Sequence, residues 1–98
     1  MGRRPAVVIQ HDRYNRSAIS TTIIAAITSN LRLSAMAGNV RLAKGEAGLP
    51  RPCVVNVSQV ATIDRARLTE RVGALSARKR NELIESLGLI LGPDVSSQ

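Results

Sequence analysis

The sequence of residues 20–30 is Ser-Thr-Thr-Ile-Ile-Ala-Ala-Ile-Thr-Ser-Asn, and this stretch decides the fold. β-Branched residues dominate it, which is typical of strands. Alternate positions from Ile19 to Ile27 form an apolar face at period two, which suits packing on a core. The pattern predicts one long central strand over residues 19–28. That strand delivers a polar cluster, Thr28, Ser29 and Asn30, which is either an ordinary turn or the rigid support of a functional site.

Shorter elements surround this strand. The sequence predicts further strands over residues 5–10, 40–43, 53–63 and 70–75, with a kink in the third, and a helical turn after Asp64 as its cap. Ser76 is a suitable N-cap for a final helix over residues 77–91, with an apolar face that includes Leu83 and Ile84, and Gly92-Pro93 would end it. The fold class expected is mainly β (α+β): a small bent antiparallel sheet or partial barrel with a C-terminal helix.

The composition indicates one small domain with an aliphatic core. The chain has 98 residues, of which 44% are hydrophobic, and Tyr14 is its only aromatic residue. We therefore expect a single domain over residues 1–98, with flexible ends at 1–4 and 93–98. A small core of Val, Ile, Leu and Ala buries limited area per residue, and such domains often gain stability by association. A homodimer is the corresponding expectation.

The charge balance favours a polyanionic partner. Fourteen Lys and Arg residues face seven Asp and Glu, for a net charge of +7, and twelve of the fourteen are Arg. Because Arg binds phosphate in a bidentate way and stacks on bases, this bias favours nucleic acid. A basic protein from a genome of high GC content would show the same bias.

Several function classes are disfavoured by what the chain contains. One Cys and one His argue against an internal disulfide and a protein-only zinc site, so we expect no metal and no cofactor. We expect no membrane association, because no apolar run approaches the roughly 18 residues of a membrane span. With no visible signal peptide, the expected location is cytoplasmic. Cys53 is expected in the core, and His11 is either a surface residue or a substrate contact.

The remaining polar residue types suit phosphate binding better than proton transfer. Arg, Thr, Ser, Asn and Gln can hold and polarise a phosphate, and a guanidinium stabilises a developing negative charge electrostatically. An RNA strand carries its own nucleophile, the 2′-hydroxyl. One Arg and one hydroxyl donor at the same phosphate would therefore be a minimal site for RNA cleavage.

The sequence closely resembles the MazF/PemK toxins. The matching motifs are Arg-Arg-Pro-Ala-Val-Val-Ile-Gln (3–10), Ile-Ala-Ala-Ile-Thr-Ser-Asn (24–30), Gly-Asn-Val (38–40), Gly-Leu-Pro (48–50), Val-Val-Asn-Val-Ser-Gln (54–59) and Thr-Ile-Asp (62–64). Each motif is weak alone, but their order and spacing over residues 3–92 are specific. The resemblance implies a partial SH3-like barrel, a homodimer, and a type II toxin that cleaves single-stranded mRNA without a metal. It also implies 2′,3′-cyclic phosphate ends and an acidic antitoxin as partner.

The same resemblance assigns roles to individual residues. Arg4 would be the proton donor or charge stabiliser at the scissile phosphate, and Thr28 would hold the phosphate or the transition state. The positions expected to contact RNA are Gln10, His11, Asn15, Ser29, Asn30 and Gln59. Relatives usually begin with a further strand of the Arg-Gly-Asp-Ile-Tyr-Trp type. Without it, we expect an exposed sheet edge.

Two alternatives stay open at this point. The first is a gyrase-binding poison of the CcdB type, which depends on residues of the C-terminal helix and needs no Arg and Thr pair. The second is a truncated toxin that binds RNA or antitoxin without cleavage. RNA cleavage that is lost when Arg4 is replaced separates the nuclease from both.

Overall fold

The computed structural model describes residues 4–10 and 18–91, with the exception of the side chains of residues 90 and 91. Four strands form a single antiparallel sheet: β1 (Ala6–Val8), β2 (Thr21–Thr28), β3 (Val40–Leu42) and β4 (Cys53–Asp64). Their spatial order is β1-β2-β4-β3, so β2 lies in the interior of the sheet as its sequence predicts. The sheet curls into a half-barrel with one C-terminal helix, which confirms the predicted fold class.

The pairing of β1 with β2 extends beyond the three residues of β1. Ala6 lies opposite Ala26, and Val8 lies opposite Ile24. The backbone N–H of Ile27 donates to the carbonyl of Pro5 over 3.2 Å, and Ile9 donates to Ile23 over 2.9 Å. Pro5 has no N–H with which to donate to the carbonyl of Ile27. A proline is therefore tolerated in this strand because it stands at the end of the ladder. Among the described residues, the other edge of β1 has no strand partner.

The kink predicted in the long strand is present as a bulge in β4. Ala26 pairs with Asn56, but its neighbour Ala25 pairs with Val60. Residues 57–59 are thus left out of the ladder with β2. Before the bulge β4 is buried, and after it the strand is mostly exposed. A bulge bends a strand and increases its twist, which accounts for the curl of the sheet at this point.

One face of the sheet, which we call the core face, carries the main core. The buried members of this cluster are Ala25, Val40, Leu42, Leu49, Cys53, Val55, Val57 and Leu83. Val7, Ile9 and Ile27 pack against it, as alternation along β1 and β2 requires. All of these side chains are aliphatic or sulfur-containing, as expected from a chain with one aromatic residue.

The helix α1 (Ala77–Leu91) covers the core face and has the predicted bounds. The Lys79 N–H donates to Ser76 Oγ over 3.2 Å, which confirms the predicted N-cap. Leu83 is buried and Leu87 packs on the core, but Ile84 is 60% exposed, so the predicted apolar face is too wide there. The predicted helix end at Gly92-Pro93 lies outside the described residues. In the part of the chain that is described, no helix has the length and apolarity to cross a membrane.

Two local predictions are wrong. Residues 70–75 form no strand, because the backbone of Gly73 instead packs against the turn at Ala47 and Gly48. A 3₁₀ helix does follow Asp64, over Arg65–Arg67, but the Asp64 side chain does not cap it. The N–H of Arg65 donates to the carbonyl of Ser20 over 2.7 Å, so a long-range backbone bond fixes this turn.

Cys53 should be unreactive in the folded protein. Burial raises the pKa of its thiol, and the negative charge of Glu46 raises it further. Because the thiolate is the reactive form and labelling would require opening of the core, we expect alkylation by iodoacetamide to be about a hundredfold slower than in urea. As the pH rises, the Cys53 thiol ionises in the unfolded state before it ionises in the folded state. The contribution of this thiol to the free energy of unfolding is therefore complete below about pH 8.5, and it is lost as the pH rises through the pKa of the folded state. Equal labelling rates in the two states would contradict this packing.

Candidate functional site

The register of the sheet sets the two predicted catalytic residues at the same end of neighbouring strands. The ladder of β1 and β2 reaches Pro5 and Ile27, which lie opposite each other. If the register continues by one more residue, Arg4 lies opposite Thr28. The two residues would then share one face of the sheet as an antiparallel pair without mutual backbone bonds, which is the kind of pair that brings side chains closest. Arg4 is exposed and Thr28 is half-buried, so the pair is open to a ligand.

The site face is the face of the sheet opposite the core face, and it carries Arg4 and Thr28. Val8 shares the orientation of Arg4 and is 42% exposed, whereas its neighbours Val7 and Ile9 pack on the core. The 3₁₀ helix Leu31–Ala35 lies against β4. Val54 on β4 pairs with Thr28 and is fully buried, although it does not belong to the main core cluster. Its side chain is therefore covered on the site face. The site face is therefore bordered, beyond Thr28, by the 3₁₀ helix Leu31–Ala35, which we call the wall helix.

The hydroxyl of Thr28 is oriented by its own chain. Its Oγ1 accepts a hydrogen bond from the N–H of Asn30 over 3.1 Å. A hydroxyl also has one hydrogen to donate, and among the described residues no acceptor engages it. The hydroxyl hydrogen of Thr28 is therefore available to a ligand.

Asn30 has a structural role that the sequence did not indicate. Its Oδ1 accepts from the N–H of Arg32 over 3.2 Å, which caps the wall helix Leu31–Ala35. The amide NH₂ of Asn30 makes none of these bonds and remains for a ligand. The neighbouring Ser29 is exposed. The exposed Arg32 adds a cation beside Asn30 that we had not selected as a site residue.

Gln59 projects from the bulge of β4 and is exposed. Two asparagines that sequence reasoning missed hold this bulge. Asn56 Oδ1 accepts from the N–H and the hydroxyl of Ser58, over 3.2 and 2.7 Å. Asn39 Oδ1 accepts from the N–H of Val57 over 3.0 Å. The signal that could have found Asn56 is an amide within an otherwise apolar strand segment, Val-Val-Asn-Val.

The other predicted contacts have different outcomes. Gln10 is half-buried, shares the orientation of Arg4 by alternation, and its Nε2 donates to the Thr21 carbonyl over 3.4 Å. Its position on the site face suits a contact at the opposite end of β1 from Arg4. His11 and Asn15 lie outside the described residues. Within residues 4–10 and 18–91, no group of three or more His, Cys, Asp or Glu side chains is placed to hold a metal ion.

Comparison with known protein families gives a match over almost the whole chain. Residues 1–91 match the family described as PemK-like, MazF-like toxin of type II toxin-antitoxin system. The chain is 46% identical over 89 residues to endoribonuclease MazF6 of Mycobacterium tuberculosis, covering 91% of this chain and 78% of that protein. It is 33% identical to endoribonuclease MazF of Staphylococcus saprophyticus, covering 93% and 75% of the two chains.

The solved structures give the same result for the fold. The Mycobacterium tuberculosis toxin MazF-mt6 superposes with a TM-score of 0.78 at 26% sequence identity. The match covers 88% of this chain and 83% of that one.

Proposed function

Because this chain belongs to the PemK-like, MazF-like toxin family, with endoribonucleases among its relatives, we propose that it cleaves single-stranded mRNA through attack of the RNA's own 2′-hydroxyl. The observation that supports the mechanism is the register of β1 and β2, whose continuation by one residue beyond Pro5 and Ile27 would set Arg4 opposite Thr28 on the site face. The chain is thus the toxin of a type II toxin–antitoxin system, whose antitoxin is its protein partner.

In the proposed reaction, the 2′-oxygen forms a bond to the adjacent phosphorus while the bond from phosphorus to the 5′-oxygen breaks. The 2′-hydroxyl gives up its proton to solvent, and the leaving 5′-oxygen gains one. The products are a 2′,3′-cyclic phosphate and a 5′-hydroxyl. Arg4 stabilises the negative charge that develops on the phosphoryl and 5′-oxygens, and Thr28 donates its hydroxyl hydrogen to a non-bridging oxygen.

The remaining residues of the site face would bind the RNA strand. In this proposal Gln10 contacts the strand at one end of the site face, Ser29 and Asn30 contact it beyond Thr28, and the exposed Gln59 contacts it from the bulge. The net charge of +7 supplies the attraction that holds a polyanion, and this attraction should weaken with added salt. We place this reaction in the cytoplasm, where mRNA is found.

We also propose that the toxin acts as a homodimer. Val60, Leu68 and Val72 are large apolar residues that remain 44%, 44% and 53% exposed on the part of the chain between the bulge and α1. Association would cover such surface and compensate for a small aliphatic core. Sedimentation equilibrium at micromolar concentration should give twice the chain mass, and a monomer mass there would contradict the dimer.

The decisive experiment is incubation of the purified protein with a long single-stranded RNA in EDTA. We expect discrete fragments whose upstream ends carry 2′,3′-cyclic phosphate, because the proposed chemistry uses no metal ion. Loss of cleavage in chelator would contradict the mechanism. Inhibition of gyrase without RNA cleavage would favour the gyrase-binding alternative, and RNA binding without turnover would favour an inactive toxin.

A further inference from the structure

The bulge in β4 is held by side chains in place of strand pairing. Residues 57–59 leave the ladder with β2, so their backbone groups need other partners. Asn39 accepts from Val57, and Asn56 accepts twice from Ser58. Asn56 is only 6% exposed, so its carboxamide is a fixed, buried support and not a ligand contact. Two amides therefore determine the path of the bulge.

Asn39 also joins the bulge to the wall of the site. Its Nδ2 donates to the carbonyl of Leu33 over 2.8 Å, within the wall helix Leu31–Ala35. The other end of that helix is capped by Asn30, whose N–H is bonded to Thr28 Oγ1. One chain of hydrogen bonds thus runs from Thr28 through the wall helix to the bulge. These bonds connect the Thr28 hydroxyl to the N–H of Val57, two residues before Gln59.

We propose that Asn39 and Asn56 are positioning residues that hold Gln59 against an RNA base and thereby set the sequence selectivity of cleavage. This inference rests on the proposed nuclease function and extends it. Bulges beside active sites commonly redirect a side chain toward the ligand. The exposed carboxamide of Gln59 offers both donors and an acceptor, which is what the edge of an unstacked base requires.

The two asparagines act on selectivity and not on the chemical step. Asn39 Oδ1 and Nδ2 and Asn56 Oδ1 each bond within the protein, and Asn56 is buried, so we assign both side chains to support of the bulge. The backbone of Thr28 is placed by its pairing with Val54, and that of Arg4 by the ladder of β1 and β2, and both pairings lie outside residues 57–59. If the bulge were loosened, RNA would therefore still be cleaved. The Gln59 side chain, however, would no longer be held in one position against the base.

The test measures the ratio of cleavage rates at the most preferred site and at a second site of one long RNA. We expect Gln59→Ala and Asn39→Ala each to lower this ratio by roughly tenfold, about the discrimination of one good base-edge contact. The double variant should lose no more than either single variant, because both changes remove the same contact. Asn39→Asp keeps an oxygen that accepts from Val57 but loses the donor to Leu33, so its selectivity should lie between those of the parent and Asn39→Ala.

Asn81→Ala is the matched control, since Asn81 is an exposed amide on α1, the helix that covers the core face. It should leave the ratio unchanged. Should Asn39→Ala not fold, the exposed Ser58→Ala, which loses the hydroxyl bond to Asn56, should give a smaller loss in the same direction. An unchanged ratio in Gln59→Ala, or additive losses in the double variant, would overturn the inference. A protein that cleaves no RNA at all would instead refute the proposed function.

Discussion

Replacement of Arg4 by alanine is expected to lower the rate of RNA cleavage by about 10²–10³-fold, the usual loss when one donor to a transition-state charge is removed. Arg4 is exposed, so the fold should be unaffected. Its backbone precedes Pro5, whose carbonyl accepts from Ile27, and alanine preserves that bond. The rate is measured from fragment formation on a long single-stranded RNA, with circular dichroism as the check of folding.

The expected size follows from what the guanidinium does. In the proposed reaction, negative charge accumulates on the phosphoryl and leaving oxygens in the transition state. A fixed positive charge with several donors stabilises that state more than the ground state. Arg4→Lys keeps the charge but loses the planar fork that matches a phosphate, so we expect an intermediate rate.

Matched variants separate chemistry from general electrostatics. Arg78→Ala removes the same charge from α1, which covers the opposite face of the sheet, and should change the rate only slightly. Thr28→Val removes the hydroxyl donor and should slow cleavage as Arg4→Ala does. Thr28→Ser keeps the hydroxyl donor and should slow cleavage less. Equal losses in Arg4→Ala and Arg78→Ala would show that Arg4 contributes only bulk charge, and the proposed pairing with Thr28 would then fail.

Replacement of Gly73 by alanine is expected to destabilise the protein by about 1–3 kcal/mol, the cost of forcing extra atoms into a filled contact. An added Cβ at Gly73 would overlap the backbone of Ala47 and lie 2.9 Å from the N atom of Gly48. The obstructing atoms are all backbone, so no side-chain rotation can relieve the clash. Thermal denaturation should show a lower midpoint, by about 4–8 °C for each kcal/mol at this chain length.

Gly88→Ala is the control for this prediction. Gly88 lies in α1, where an added Cβ meets nothing within 4 Å. Glycine within a helix is less favourable than alanine by about 0.5–1 kcal/mol, so this variant should be more stable than the parent. If Gly73→Ala were as stable as the parent, residues 70–75 would not be held against the turn at Ala47 and Gly48.

Residues 70–75 also show why a strand was predicted where none exists. A short run with apolar residues, Glu-Arg-Val-Gly-Ala-Leu, is locally compatible with a strand, but a strand needs a neighbour to bond with. The fold instead sets Gly73 against Gly48, where two backbones approach more closely than side chains would allow. No local pattern states which backbone will be nearby. The overly wide apolar face of α1 at Ile84 has the same origin, because burial depends on what lies opposite.

The sequence alone determined the positions of the four strands that form, and of the helix and its cap, because periodicity, β-branching and capping residues act through local geometry. It also determined the family through ordered motifs, and with it the catalytic roles expected for Arg4 and Thr28. Only the tertiary structure decided that Pro5 pairs with Ile27, and hence that Arg4 and Thr28 stand at the same end of neighbouring strands, since register is a relation between strands distant along the chain. It likewise decided that Asn30 caps a helix and that Asn39 and Asn56 hold the bulge, because a polar side chain takes its role from the backbone groups that folding leaves without partners.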